Sequence, residues 1–207
     1  MFTSLCSLFS ASSDGDRKHD QGRALIRSTT NTGRLGSKVE ETKGELEVTG
    51  VTADSSLGGC IFCDVSREKG FNVVYEDEKY VVFKDHRPAA AQHLLVVPRR
   101  HIDSVRTLTP EDVPTVKRMA EIGHSILDEM QIPFSNRRLG FHIPPFYSVK
   151  HLHLHVQATP YKSWLKRAKY PVAQGSKGYS KGFGWFVEVE QAIAIVEKGE
   201  RVKISSC

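Results

Sequence analysis

No stretch of the 207 residues carries the roughly 18 consecutive apolar side chains of an ordinary membrane span, which excludes that class of protein. Cysteine is scarce. Of Cys6, Cys60, Cys63 and Cys207, only Cys60 and Cys63 stand close together, which is not the make-up of a secreted disulfide framework. A reducing compartment is expected, cytoplasmic or nuclear. The first ten residues, Met1 to Ser10, lack both a basic n-region and a long apolar h-region, so a secretory signal is not expected; Arg17, Lys18, Arg23 and Arg27 leave an organellar presequence open. Charge of one sign is in modest excess: a net +5 and a pI near 9.0 are compatible with phosphate or nucleic-acid partners and select neither. There is no internal repeat.

The chain does have enough apolar residues, 39%, to fill one core of ordinary size, with sequence left for appendages. Residues 1–56 are rich in Ser, Thr, Gly, Asp, Lys and Arg and show no apolar period, so a disordered N-terminal arm is expected there. Phe71-Asn-Val-Val-Tyr75 and Tyr80-Val-Val-Phe-Lys-Asp85, joined by the polar Glu76–Lys79, predict an antiparallel hairpin. His93–Val97, closed by Pro98, predicts a third strand, Arg138–His142 a fourth and His151–Gln157 a fifth. Thr109-Pro110-Glu111-Asp112 carries a hydroxyl cap, a proline at the first helical position and acids in the first turn. Behind it, Val113, Val116, Ala120, Gly123, Leu127 and Met130 recur at spacings of three and four, one apolar stripe able to lie on a sheet until Pro133 stops it. The expected fold is α+β over residues 57–160, an antiparallel sheet of about five strands under a long helix. Residues 161–207 read as a basic C-terminal extension that packs partly on the core, with Trp185–Val196 ordered as a short strand or helix.

The most chemically loaded stretch is His151-Leu152-His153-Leu154-His155-Val156-Gln157. On a strand, alternate side chains share a face, so the imidazoles form one row. Two neighbours in such a row can share a zinc; the outer pair, about 13 Å apart at a rise of roughly 3.3 Å per residue, cannot. A second use is nucleophilic attack on phosphorus by one neutral imidazole, with the flanking rings holding it and binding phosphate oxygens. Cys60 and Cys63 supply half a zinc site, or are two ordinary thiols.

The row resembles the signature of the histidine triad (HIT) family, and the likeness extends in matching order to Phe83–Pro88, His93–His101 and Leu139–Ser148. Gln157 departs from it, being polar where the family has an aliphatic residue. Within the family, the proline-containing loop before the row is most similar to the type 3 histidine triad nucleotide-binding proteins, and next to the aprataxin catalytic domain. The resemblance implies a HIT-like fold and a hydrolase that splits the P–N bond of adenosine 5′-monophosphoramidate-type substrates, giving AMP and an amine through a nucleotidyl-histidine. Rivals are aprataxin-like removal of AMP from DNA 5′ ends, a dinucleoside polyphosphate hydrolase, and a nucleotide-binding adaptor with vestigial catalysis. By the same resemblance His153 is the nucleophile, His155 and His93 line the phosphate pocket, His151 orients the nucleophile, Ser148 stands near the leaving group, Asp85 binds the ribose hydroxyls and His142 replaces a polar contact of the loop. It implies no cofactor for catalysis and, from Cys60, Cys63, His101 and His151, a structural zinc site; if that forms, His151 belongs to the metal. The partners implied are a purine nucleotide and a second copy of the chain, with nucleic acid less favoured and no membrane.

Overall fold

The computed structural model describes residues 59–207; the expected N-terminal arm over 1–56 lies outside the described residues. Strand β1 (Val73–Glu76) turns into β2 (Tyr80–Lys84) because the Asp77 carboxylate accepts the N–H groups of Lys79 and Tyr80 at 2.8 and 2.7 Å, folding the polar link back on itself. β2 pairs antiparallel with β3 (Ala90–Pro98), and β3 with β5 (Leu154–Tyr161), where Leu95 faces His155 and His93 faces Gln157. β4 (Arg137–His142) lies on the other side of β5, with Gly140 opposite His155. The sheet then gains a strand beyond the five expected: β6 (Phe186–Glu188) pairs with β4, giving the order β1-β2-β3-β5-β4-β6. Gly140 permits this, since a Cβ there would stand 2.3 Å from the Val187 carbonyl oxygen.

Thr109 starts the helical segment as expected: Asp112 Oδ2 accepts the Thr109 N–H at 3.0 Å across a single 3-10 turn, and α1 (Val113–Glu129) follows. Its buried face is wider than the predicted stripe, taking in Met119, Ile122 and Ile126 beside Val113, Val116, Gly123 and Leu127. The missing side chain at Gly123 lets the helix settle on the sheet, where a Cβ would meet Val156 Cγ2 at 2.7 Å. A short α2 (Trp164–Arg167) follows β5, and α3 (Val189–Glu197) follows β6, adding Val189, Ala192, Ile195 and Val196 to the same core. Among the described residues no helix is long and apolar enough to cross a membrane.

Alternation along β3 divides the molecule into two faces. Leu94 and Val96 join Leu154, Val156 and α1 in the main core, and fully burying each such aliphatic side chain contributes roughly 1.5 to 3 kcal/mol. Leu95 and Val97 point the other way, into a smaller cluster with Phe62, Val65, Val81 and Phe83. His93, two residues from Leu95, and His155, opposite Leu95, share that second face. The sheet therefore holds the histidines on the side away from α1.

The histidine row is not a continuous strand. His151 N–H donates to Val149 O at 2.9 Å and Leu152 N–H to Ile102 O at 2.6 Å, so this segment is pinned to the chain after β3, and β5 begins only at Leu154. Of the triad, His155 alone sits in the ladder. The other two are free to face different neighbours.

Candidate active site

His155 is buried, and its ring belongs to a chain of hydrogen bonds whose two ends fix its direction. At one end Ala89 N–H donates to His93 Nδ1 at 3.1 Å, so that nitrogen is an acceptor and the His93 proton sits on Nε2. Nε2 lies 2.9 Å from His155 Nδ1, which accepts it; the His155 proton is therefore on Nε2, 3.0 Å from His142 Nδ1. At the far end His142 Nε2 donates to the Lys169 carbonyl at 2.9 Å. A backbone donor and a backbone acceptor thus set the tautomers of three imidazoles. Gln157, the departure from the family signature, is buried beside the chain, with its amide 3.3 Å from His93 Nε2 and its Oε1 accepting the Tyr161 hydroxyl at 3.0 Å. Tyr170 packs against His93, His142 and His155 with ring centroids 5.8, 4.9 and 5.5 Å away.

An added proton in this chain would set two N–H groups against each other, and burial opposes the charge as well. Burial holds His155 well below its usual value and lowers His142, while His93, burial being again the first cause, falls to about 4. The unfolded chain takes up these protons below about pH 6.5, and the folded chain resists them. Stability contributed here is complete above pH 6.5 and is lost as pH falls toward 4. His93 alone should lower it by roughly 1 kcal/mol at about pH 5.5. Urea midpoints measured at neutral pH and in mild acid check this, and equal midpoints would contradict it.

His153 is placed differently. Its Nδ1 donates to the main-chain carbonyl of His151 at 2.6 Å, Phe62 packs edge-on against the ring with centroids 5.5 Å apart, and burial pushes its pKa down to about 4. Its Nε2 has no hydrogen-bond partner among the described residues and carries a lone pair. The ring stands where two chambers meet. One, about 480 Å3, has apolar walls from Ile61, Phe62, Phe71 and Leu95. The other, about 590 Å3, is bounded by Arg87, His142, Phe146, Lys166, Lys169 and Trp185. Asp85, Ser148 and His155 border both. Asp85 Oδ1 accepts the Arg87 N–H at 2.7 Å, so the carboxylate is held at the shared mouth.

His151 departs from the role of a side chain that steers the nucleophile. Its Nε2 donates to Pro98 O at 2.8 Å, which aims the Nδ1 lone pair at Cys60 Sγ and Cys63 Sγ, 3.3 and 3.5 Å away. Only its carbonyl touches His153. His101 is set in the same way: Nε2 lies 3.0 Å from Asp103 Oδ1, and Nδ1 lies 3.2 Å from Cys63 Sγ. The four ligand atoms lie within 4.8 Å of one another. A tetrahedron with zinc–nitrogen and zinc–sulfur bonds needs edges of roughly 3.3 to 3.8 Å, so this donor set fits zinc, and each imidazole already has the outer hydrogen bond that fixes a ligating tautomer. A second group, Asp85, His93 and His155, is equally compact, but the histidine lone pairs there are taken by the directed chain.

All the expected site residues lie on this side of the sheet, in two groups: Cys60, Cys63, His101 and the His151 ring in one, and His153, His155, Ser148, Asp85 and His142 around the chambers in the other. His93 borders neither chamber; it reaches the site through His155. Tyr170, the Lys169 carbonyl and Trp185 were not expected. Gln157, a polar residue at an apolar position, signalled a different buried contact, the hydrogen bond from the Tyr161 hydroxyl. The carbonyl left no trace in the sequence.

The model of a scavenger mRNA decapping enzyme C-terminal binding family matches residues 59–170. The chain is 39% identical over 138 residues to adenosine 5′-monophosphoramidase HINT3 of Xenopus tropicalis, covering 65% of this chain and 84% of that protein. It is 43% identical over 114 residues to the bifunctional adenosine 5′-phosphosulfate phosphorylase/adenylylsulfatase HINT4 of Arabidopsis thaliana, covering 54% and 77%. Aprataxin of Danio rerio is 31% identical over 135 residues, covering 63% of this chain but 38% of aprataxin.

Proposed function

The chain belongs to the histidine triad family, and from that premise we propose that it is a nucleotide hydrolase that cleaves adenosine 5′-monophosphoramidate-type substrates to AMP and amine through a nucleotidyl-His153. The observation that carries the reading is the one buried imidazole of the triad with a free lone pair, His153 Nε2, at the junction of an apolar and a cationic chamber. The adenine enters the apolar chamber and the Asp85 carboxylate receives the ribose hydroxyls, a pairing suited to a vicinal diol. Nε2 then forms a bond to the α-phosphorus as the P–N bond breaks. The Nδ1 proton stays on the ring, donated to the His151 carbonyl, which holds the ring in line and stabilises the imidazolium that forms. His155 Nε2–H, lent to His142 in the free protein, is the donor nearest the phosphoryl oxygens. Ser148 hands a proton to the departing nitrogen and recovers one from solvent. Water next attacks the phosphorus, releasing AMP and the free imidazole.

Cys60, Cys63, His101 and His151 would hold zinc, which would supply a cross-link and take no part in the steps above. A pair of chains is the expected assembly; the sheet ends on β1 and β6, and a groove of about 420 Å3 beside β1 and α1, with Tyr75, Ile122 and Met130 in its walls, offers a place for it. The test of the activity is release of amine and AMP from a fluorogenic adenosine phosphoramidate by the wild-type chain. Turnover above one per second per active site is the expected order. Binding of AMP without turnover would leave the adaptor reading in its place.

A further inference from the structure

We propose that the second chamber selects the leaving group by its negative charge, with Lys166 as the specificity-determining cation; this rests on the reading of His153 as the attacking group. If the nucleoside fills the apolar chamber, the group expelled from phosphorus must lie in the other one. That chamber has three cationic side chains, Arg87, Lys166 and Lys169, and one carboxylate, Asp85, which stands at the shared mouth. Several cations elsewhere are matched, Arg99 with Glu76, Arg100 with Asp112, Lys117 with Glu197 and Arg138 with Glu188, and the other chamber holds one unmatched cation, Lys84, against three here. Arg87, Lys166 and Lys169 have no carboxylate within 4.0 Å among the described residues.

Lys166 is the most constrained of the three. It is half-buried where Arg87 and Lys169 are exposed, and its N–H donates to the Ser163 hydroxyl at 3.2 Å, which caps α2 and fixes the backbone from which the side chain enters the chamber. Its charge reaches the histidine chain, where it contributes to lowering His93. One cation would suffice for the α-phosphate that every substrate shares. Three, with the chamber extending to Phe146 and Trp185, whose ring centroids lie 5.5 Å apart at a tilt of 35°, leave positive charge facing whatever the phosphorus carries beyond its own oxygens.

The experiment uses AMP joined through nitrogen to β-alanine, β-alaninamide or diaminopropane, three tails of like length that carry negative, zero and positive charge. Affinities are measured by calorimetry on the full-length His153→Ala chain, which does not consume them. The β-alanine conjugate is expected to bind about tenfold tighter than the amide, and the diaminopropane conjugate about tenfold weaker. Adding Lys166→Gln should flatten that order and Lys166→Glu should reverse it. Three equal affinities, or a loss from Lys166→Glu that is the same for all three, would overturn the proposal, the second by assigning Lys166 to the shared phosphate. Wild-type turnover of the amide conjugate reports separately: its absence with the affinity order intact sinks the hydrolase reading alone.

Discussion

Replacing His153 by alanine lowers turnover by roughly four to six orders of magnitude, the loss expected when a covalent nucleophile is removed while binding groups stay in place. The expectation falls on this histidine because of proton placement. Both nitrogens of His155 are spent in the directed chain, and those of His151 on Pro98 O and the cysteine cluster. Of the three triad imidazoles, His153 alone keeps a free lone pair, and burial keeps it neutral at cellular pH. Since alanine also leaves a void beside Phe62, the comparison should include His153→Gln, which refills most of that volume. Either variant should bind AMP within a few-fold of wild type while amine release vanishes. Activity within tenfold of wild type in the presence of EDTA would contradict the assignment.

Removing the zinc proposed at Cys60, Cys63, His101 and His151 is expected to have the second large effect. Protein purified without chelator should carry one zinc per chain, and Cys63→Ser should lose it. The cluster joins the start of the domain to the segment after β3 and to His151, whose carbonyl holds the nucleophile. Without the ion, two thiols and two imidazole lone pairs are left facing one another. A loss of several kcal/mol is in keeping with the part that structural zinc plays in folding, and in a chain of this size it corresponds to a melting temperature lower by about 10 °C or more. Metal analysis beside thermal unfolding measures both. A metal-free protein with an unchanged melting temperature would mean that Cys60 and Cys63 are ordinary thiols.

The hairpin, β3, α1 and β4 were legible because each has a local cause: alternating β-branched residues, an aspartate-closed turn, a capped and amphipathic helix. Order over Trp185–Val196 was legible as a short strand or helix; that it holds both, and that Phe186–Glu188 joins the sheet, was not, since three residues are too short to show a period and this strand exists through pairing with β4 across Gly140. The chemistry of the histidine row was legible in outline, but its shape was not. Periodicity made His151, His153 and His155 equivalent, and two long-range backbone contacts undo that: Leu152 N–H to Ile102 O pulls the first half off the ladder, and Lys169 O sets the proton order of the second half through His142. Main-chain atoms carry no residue identity, so side-chain patterns could not have revealed either.

The central claim is that His153 forms a bond to phosphorus. It is tested most directly by the stereochemical course at the α-phosphorus, using one diastereomer of an adenosine phosphorothioate amide hydrolysed in heavy-oxygen water. Two successive displacements, first by His153 and then by water, predict overall retention of configuration. Inversion would mean that water attacks the substrate directly, and would remove the nucleotidyl-histidine from the mechanism.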